Sequence, residues 1–287
     1  MSNIVLGSAT QQNLLALQNI NTQLDTTQNA LATGLKVGSA IDDAVKFFES
    51  QSLSDRAGDL STRKDNIDQG ISSVTTATQG IQASIAILQQ MQGILQSAKT
   101  ETASERKSAA AQFNTLAGQL NQLLNDASYQ GLNLVNSTAT SLTLQFSQST
   151  ASVLKIGGEN LLISTSITAG ALGSVLASVL AGTTFSTAVS NGHTSVFDVA
   201  YKGLTNAIST FQSAAASLGA NVSFLQTRLS FTSQYIATLQ GGSSKLTVAD
   251  VNQESTNLVT LQTRQQLAIQ SLSIATQSEQ AVLRLFH

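Results

Sequence analysis

The sequence predicts a mainly α fold: a long antiparallel, coiled-coil-like bundle of paired N- and C-terminal helices, with a small β-hairpin and a short outer insertion. Three observations predict it. The 287 residues contain no proline, where ordinary usage would supply about 14, and proline breaks helix interiors. Both ends carry apolar residues at seven-residue intervals, the mark of helices wound about one another. Between them lie a run of strand-like alternation and a stretch of small, uncharged residues.

The first helix has Leu17, Leu24 and Leu31 seven apart, with Asn13, Ile20 and Thr27 in the second seam position. Gly34 and Gly38 then suit a helix stop or loop, because glycine accepts φ > 0 cheaply. Asp42 and Asp43 precede a helix starting near Ala44, where acidic residues favour the N-terminal dipole. In that helix Leu60, Ile67, Val74, Ile81, Leu88 and Leu95 repeat without a miss, and Ile71 and Ile85 sit four residues beyond two of them. At about 1.5 Å per residue the rod is roughly 50 Å long. No small globule covers such a rod, so it needs parallel partners. A shorter stripe follows, Phe113, Leu116, Leu120, Leu123 and Ala127, and stops near Ser128-Tyr129-Gln130-Gly131.

Leu142 to Phe146 and Val153 to Ile156 alternate in character around a polar break, which reads as a β-hairpin bounded by Gly157-Gly158. Residues 164 to 195 are rich in Ser, Thr, Ala and Gly, with a turn signal at Asn191-Gly192; a short helix around Leu172 to Leu180 fits within a surface insertion. The heptad then returns. Leu204, Phe211, Leu218, Leu225, Thr232 and Leu239 form one seam position, and Ile208, Ala215, Val222, Leu229 and Ile236 the other. Gly241-Gly242-Ser243-Ser244 is expected to break it. Thr247 or Asp250 then caps a last helix carrying Leu258, Leu261, Ala268, Leu272, Ala275 and Val282, with Leu267 and Ile274 widening its apolar face. The mirror-like layout pairs the two ends and makes the middle protrude. Three parts are expected: residues 1–40 with 245–287 as inner terminal helices, 41–165 with 195–244 as a helical bundle bearing the hairpin, and 166–194 as a small insertion.

Composition excludes several classes. There is no cysteine, so no disulfide, thiolate metal site or cysteine nucleophile. His193 and His287 are the two histidines. Net charge −2 lacks the basic footprint of a nucleic-acid binder. The longest weakly polar stretch, residues 169–182, falls short of the roughly 20 residues a membrane span requires. The N-terminal residues lack a positive n-region and a long apolar h-region, so a conventional secretory signal is not expected. No catalytic, cofactor or metal site is expected. Asp42-Asp43 reads as a cap. Asp65 and Asp68 lack a third ligand, and hard cations want about six oxygens. Gly241 to Lys245 lacks the spacing of a phosphate loop, and the serines have no histidine placed to activate them. The outer helix faces are Gln, Ser, Thr, Asn and Ala; such neutral faces can pack against copies of the same chain with little desolvation cost. Contacts between different surfaces of identical subunits build open helical filaments when the rotation does not close.

At this point the residues resemble a known family, bacterial flagellin, over roughly residues 1–165 and 195–287. Ala32 to Ala44, reading ATGLKVGSAIDDA, is similar to the family's SSGLRINSAKDDA. Asp68-Gln69-Gly70-Ile71-Ser72 resembles its NDGIS, and Tyr129 to Leu134 its FNGxxL. Ala249-Asp250-Val251 resembles the opening of its terminal helix, and Val282-Leu283-Arg284-Leu285 its closing VLxL. The resemblance implies a structural subunit, not an enzyme, that polymerises into the extracellular flagellar filament for motility. Terminal helices would line the channel, the heptad helices and hairpin would form the wall, and the insertion would face outward. It further implies type III export without a cleaved signal, and dealings with the export apparatus, cap and junction proteins. The candidate functional residues are thus the seam positions already named, from Leu17 to Val282.

One departure stands out. Many flagellins carry LQRVREL where this chain has Leu88-Gln89-Gln90-Met91-Gln92-Gly93-Ile94. The family's segment belongs to a surface recognised by an animal Toll-like receptor, so Gln90, Gln92 and Gly93 mark altered receptor-equivalent positions. Two alternatives stand beside the filament subunit: a hook–filament junction protein of the same superfamily, and a secreted effector or translocator binding a host target. The latter would want a basic or strongly apolar amphipathic segment.

Overall fold

The computed structural model describes residues 8–147, 151–162 and 195–285. Five helices account for most of them: α1 (Ser8–Thr33), α2 (Ala44–Ala98), α3 (Ala103–Asp126), α4 (Ser195–Thr247) and α5 (Val251–Leu285). Two antiparallel hairpins, β1 (Ser128–Tyr129) with β2 (Leu132–Asn133) and β3 (Ser141–Gln145) with β4 (Val153–Gly157), lie between α3 and α4. The expected insertion, its short helix and His193 lie outside the described residues. The chain divides into two compact units, 1–58 with 235–287, and 59–234.

In the first unit α1 and α5 pack on each other, as the pairing of the two ends requires. On α1 the covered positions include Thr10, Asn13, Leu17, Ile20, Leu24, Thr27 and Leu31, beside Asn21 and Ala30; on α5 they include Leu258, Leu261, Gln265, Ala268, Leu272 and Ala275, beside Glu254 and Thr276. Both sets alternate in steps of three and four, the heptad seam. Gln265 Nε2 donates to Asn21 Oδ1 at 2.8 Å across the pair. Gly34 turns the chain out of α1 with φ 72°. The segment beyond it clasps the α4–α5 junction: Lys36 and Val37 N–H donate to Thr247 O, and Ala249 N–H donates to Gly34 O.

The expected break at Gly241-Gly242 does not occur, and α4 runs on to Thr247. Packing within this unit overrides the local weakness. Ser243 Oγ donates to Ser50 O at 3.1 Å and lies 2.9 Å from Ser54 Oγ on α2. Of the two cap candidates, Asp250 serves: its Oδ1 accepts from Asn252 and Gln253 N–H, while Thr247 is the last residue of α4.

The second unit holds a complete core. Ile67, Val74, Ile81, Leu88 and Leu95 of α2 are fully buried, as are Phe113, Leu120 and Leu124 of α3 and Leu204 and Leu225 of α4. The second seam position is shared between residues three and four on from the first, since Ile71, Ile85, Ile208, Ala215, Val222 and Leu229 also pack against the core. On α2 it holds Gly70, Ala77, Ser84, Met91 and Ala98, all buried, while Ile71 and Ile85 are half-buried. On α4 the matching positions hold Ala200, Ala207 and Ala214. These small residues let helix axes approach. Ser84 satisfies its buried hydroxyl by donating to Gly80 O at 2.7 Å.

Short-range chemistry fixes the connections. Thr102 and Glu105 form a reciprocal capping box at the start of α3. After α3, Gln130 (φ 50°) and Gly131 (φ 81°) make the two-residue turn of the first hairpin, a turn type that needs φ > 0 at both positions. Asn133 then ties that hairpin down: its Nδ2 donates to Leu124 O and Asn125 O, the orphan carbonyls at the end of α3, and its Oδ1 accepts from Val135 and Asn136 N–H. β3 and β4 pair from Ser141↔Gly157 to Gln145↔Val153. Leu144 of β3 reaches α2 at Gly70, where a Cβ would sit 2.5 Å from Leu144 Cδ1. The glycine of the Asp68–Ser72 motif is therefore the site of hairpin docking.

Candidate assembly surface

The seam residues fall into two groups. Leu60, Ile67, Val74, Ile81, Leu88, Leu95, Leu204, Phe211, Leu218 and Leu225 are buried by the chain's own second unit. Those of the terminal helices are less covered: Leu24 and Leu261 are buried, Leu17, Leu31 and Leu272 half-buried. The side chain of Val282 lies outside those described. Leu267 and Ile274, expected to widen the same face, are instead exposed, at 60% and 61%. They lie on other sides of α5 from the seam that meets α1.

That exposure is part of a pattern that heptad counting missed. In the first unit Leu15, Ile41, Val45, Phe48, Val248, Val251, Val259 and Ile269 are exposed as well, with Ile41 at 96%. Ala44, Val45, Phe48, Glu49, Ser52, Leu53 and Leu246 line an open groove of about 650 Å³. Its walls are mostly aliphatic and aromatic, and Phe48 meets Phe47 edge-on at 5.5 Å. Scattered exposed apolar residues are ordinary, but contiguous patches rimmed by polar groups mark interaction surfaces. The sequence signal was present: Ile41, Val45, Phe47 and Phe48 crowd a segment outside any seam.

The charged groups near this surface are structural. Asp42 Oδ2 accepts from Ser39 Oγ and from the N–H groups of Ser39 and Gly38. The Ser39 hydroxyl first, then those backbone donors, hold its carboxyl below the usual range. Asp43 caps α2 by accepting from Lys46 N–H and pairs with Lys46 Nζ at 2.8 Å, and that pairing lowers its pKa too. The expected cap of α2 is made by Asp43, whereas Asp42 ties down the preceding turn at Gly38 and Ser39. Asp65 and Asp68 share Lys64, at 3.6 and 3.8 Å. Among the described residues no group of three or more His, Cys, Asp or Glu side chains could hold a metal ion, and no helix is long and apolar enough to cross a membrane. Of the receptor-equivalent positions, Gln90 and Gly93 are exposed. Gln92 is half-buried, and its Nε2 donates to Thr205 Oγ1 on α4 at 2.9 Å.

Comparison with known proteins places this architecture. Residues 4–140 match the family described as bacterial flagellin N-terminal helical region, and 201–286 match the bacterial flagellin C-terminal helical region. Flagellin FljO of Caulobacter vibrioides is 30% identical over 95% of each chain. The chain belongs to the bacterial flagellin family. A flagellin of Brucella melitensis is 27% identical over this whole chain and 99% of that protein, and flagellin C of Rhizobium meliloti is 28% identical over the same shares. The two matched regions frame the hairpin β3–β4 and the residues after it. Flagellins are structural proteins, and this chain is not an enzyme.

Proposed function

We infer that this chain is a structural subunit that polymerises with many copies of itself into the extracellular filament of a bacterial flagellum. Membership of the flagellin family and relatives of matching length support the filament subunit. The observation that carries the self-assembly is the contrast in burial. Among the described residues the second unit encloses a large core and exposes five large apolar residues, among them Val199, Phe224 and Phe231, whereas the first, with few buried apolar residues, exposes twelve, on α1, α2, α5 and the segments joining them. Only neighbouring copies supply a regular cover for such surfaces along a rod. Neither the junction-protein nor the effector alternative is favoured by any of the relatives named above.

Finer parts of the reading are proposals. The inner terminal helices (1–40 and 245–287) line a central channel, the bundle (41–165 and 195–244) forms the wall, and 166–194 faces outward. The seam from Leu17 to Val282 organises these contacts. The subunit travels unfolded through the flagellar type III apparatus without a cleaved signal, meets cap and junction proteins, and orders its ends on assembly, as folding coupled to binding does. With Gln90, Gln92 and Gly93 in place of the family's charged residues, purified monomer gives weak or no activation of the Toll-like receptor; a strong reporter-cell response would refute that part. The central test is sedimentation at neutral pH. Full-length protein pellets as filaments, and protein trimmed at both ends, before about Gly34 and after about Asp250, stays in the supernatant. Trimmed protein that still polymerises would overturn the role given to α1 and α5.

A further inference from the structure

No further inference is drawn: the strongest candidate, the apolar groove at the start of α2 lined by Ala44, Val45, Phe48, Leu53 and Leu246, belongs to the candidate assembly surface already described, and nothing in the structure shows what covers it.

Discussion

Replacing Gly80 by alanine tests the packing of the second unit at its tightest point. A Cβ at Gly80 would stand 2.5 Å from the Cβ of Ala127, just beyond the end of α3. Such contacts essentially never fall below 3.0 Å and are ordinary from 3.4 Å. The obstacle is a Cβ fixed to backbone, not the swinging end of a long side chain, so α2 and the end of α3 must part. Overpacking of this kind costs about 1–3 kcal/mol, partly offset by about 0.5–1 kcal/mol for alanine over glycine in a helix. Gly93→Ala, on the same helix with nothing within 4 Å, keeps only the gain. The two variants should therefore differ by about 2 kcal/mol, or roughly 4–8 °C in melting for a unit of this size. Urea unfolding of monomer followed by circular dichroism should show midpoints moving in opposite directions at constant slope. Adding Ala127→Gly to Gly80→Ala should recover most of the loss, a coupling that a double-mutant cycle reads directly. Equal stability of Gly80→Ala and Gly93→Ala would refute the close approach.

Two further outcomes follow from the Asp42 turn and the α3 cap. Asp42 has a lowered folded pKa, so its contribution is fully present above the unfolded value of about 3.9 and is lost as pH falls through the lowered folded value; hydrogen exchange should show Gly38 and Ser39 amides losing protection below about pH 4, and Asp42→Asn should abolish that dependence, whereas protection unchanged down to about pH 2 would contradict the tie. Thr102→Ala removes the hydroxyl that accepts from Glu105 N–H and leaves the reciprocal half, Thr102 N–H donating to Glu105 Oε2 at 2.8 Å, in place; it should lower stability in urea by about 1 kcal/mol, and an unchanged midpoint would count against it.

How much of this was legible depended on which residues carried each feature. Large apolar side chains at a strict interval placed α2 and α4, because Ile67 to Leu95 and Leu204 to Leu225 announce burial by size. The other half of the same seam was legible only in part: Ile71 and Ile85 pack against the core, beside smaller residues one position earlier. Ala77, Ser84, Ala98, Ala207 and Ala214 are buried, yet small residues are equally at home outside, so only the bulky Ile71 and Ile85 drew notice. The β1–β2 hairpin escaped for another reason: two residues per strand leave no alternation to count, and its hold comes from the Asn133 side chain reaching back to α3. At Gly241-Gly242 composition pointed to a break that tertiary contacts of Ser243 prevent. The candidate assembly surface lay hidden because periodicity finds the face a helix shares with its own chain, and Ile41, Val45 and Phe48 belong to none.

The terminal pair shows why assembly and order belong together in this molecule. Its seam is weak by composition: Thr10 occupies the first seam position, where the second unit has Ile, Leu or Phe, and Asn13 and Thr27 are polar at the second. Fully burying a large aliphatic side chain contributes about 1.5–3 kcal/mol. Among the described side chains of α1 and α5 only Leu24, Ala30 and Leu261 are buried apolar residues. Val259, Leu267, Ile269 and Ile274 are exposed on α5. A neighbour that covers these four adds several kcal/mol to the pair it meets. On the proposed filament reading, the ends of one subunit are held by the next, and the polymer grows by folding each newcomer onto the last.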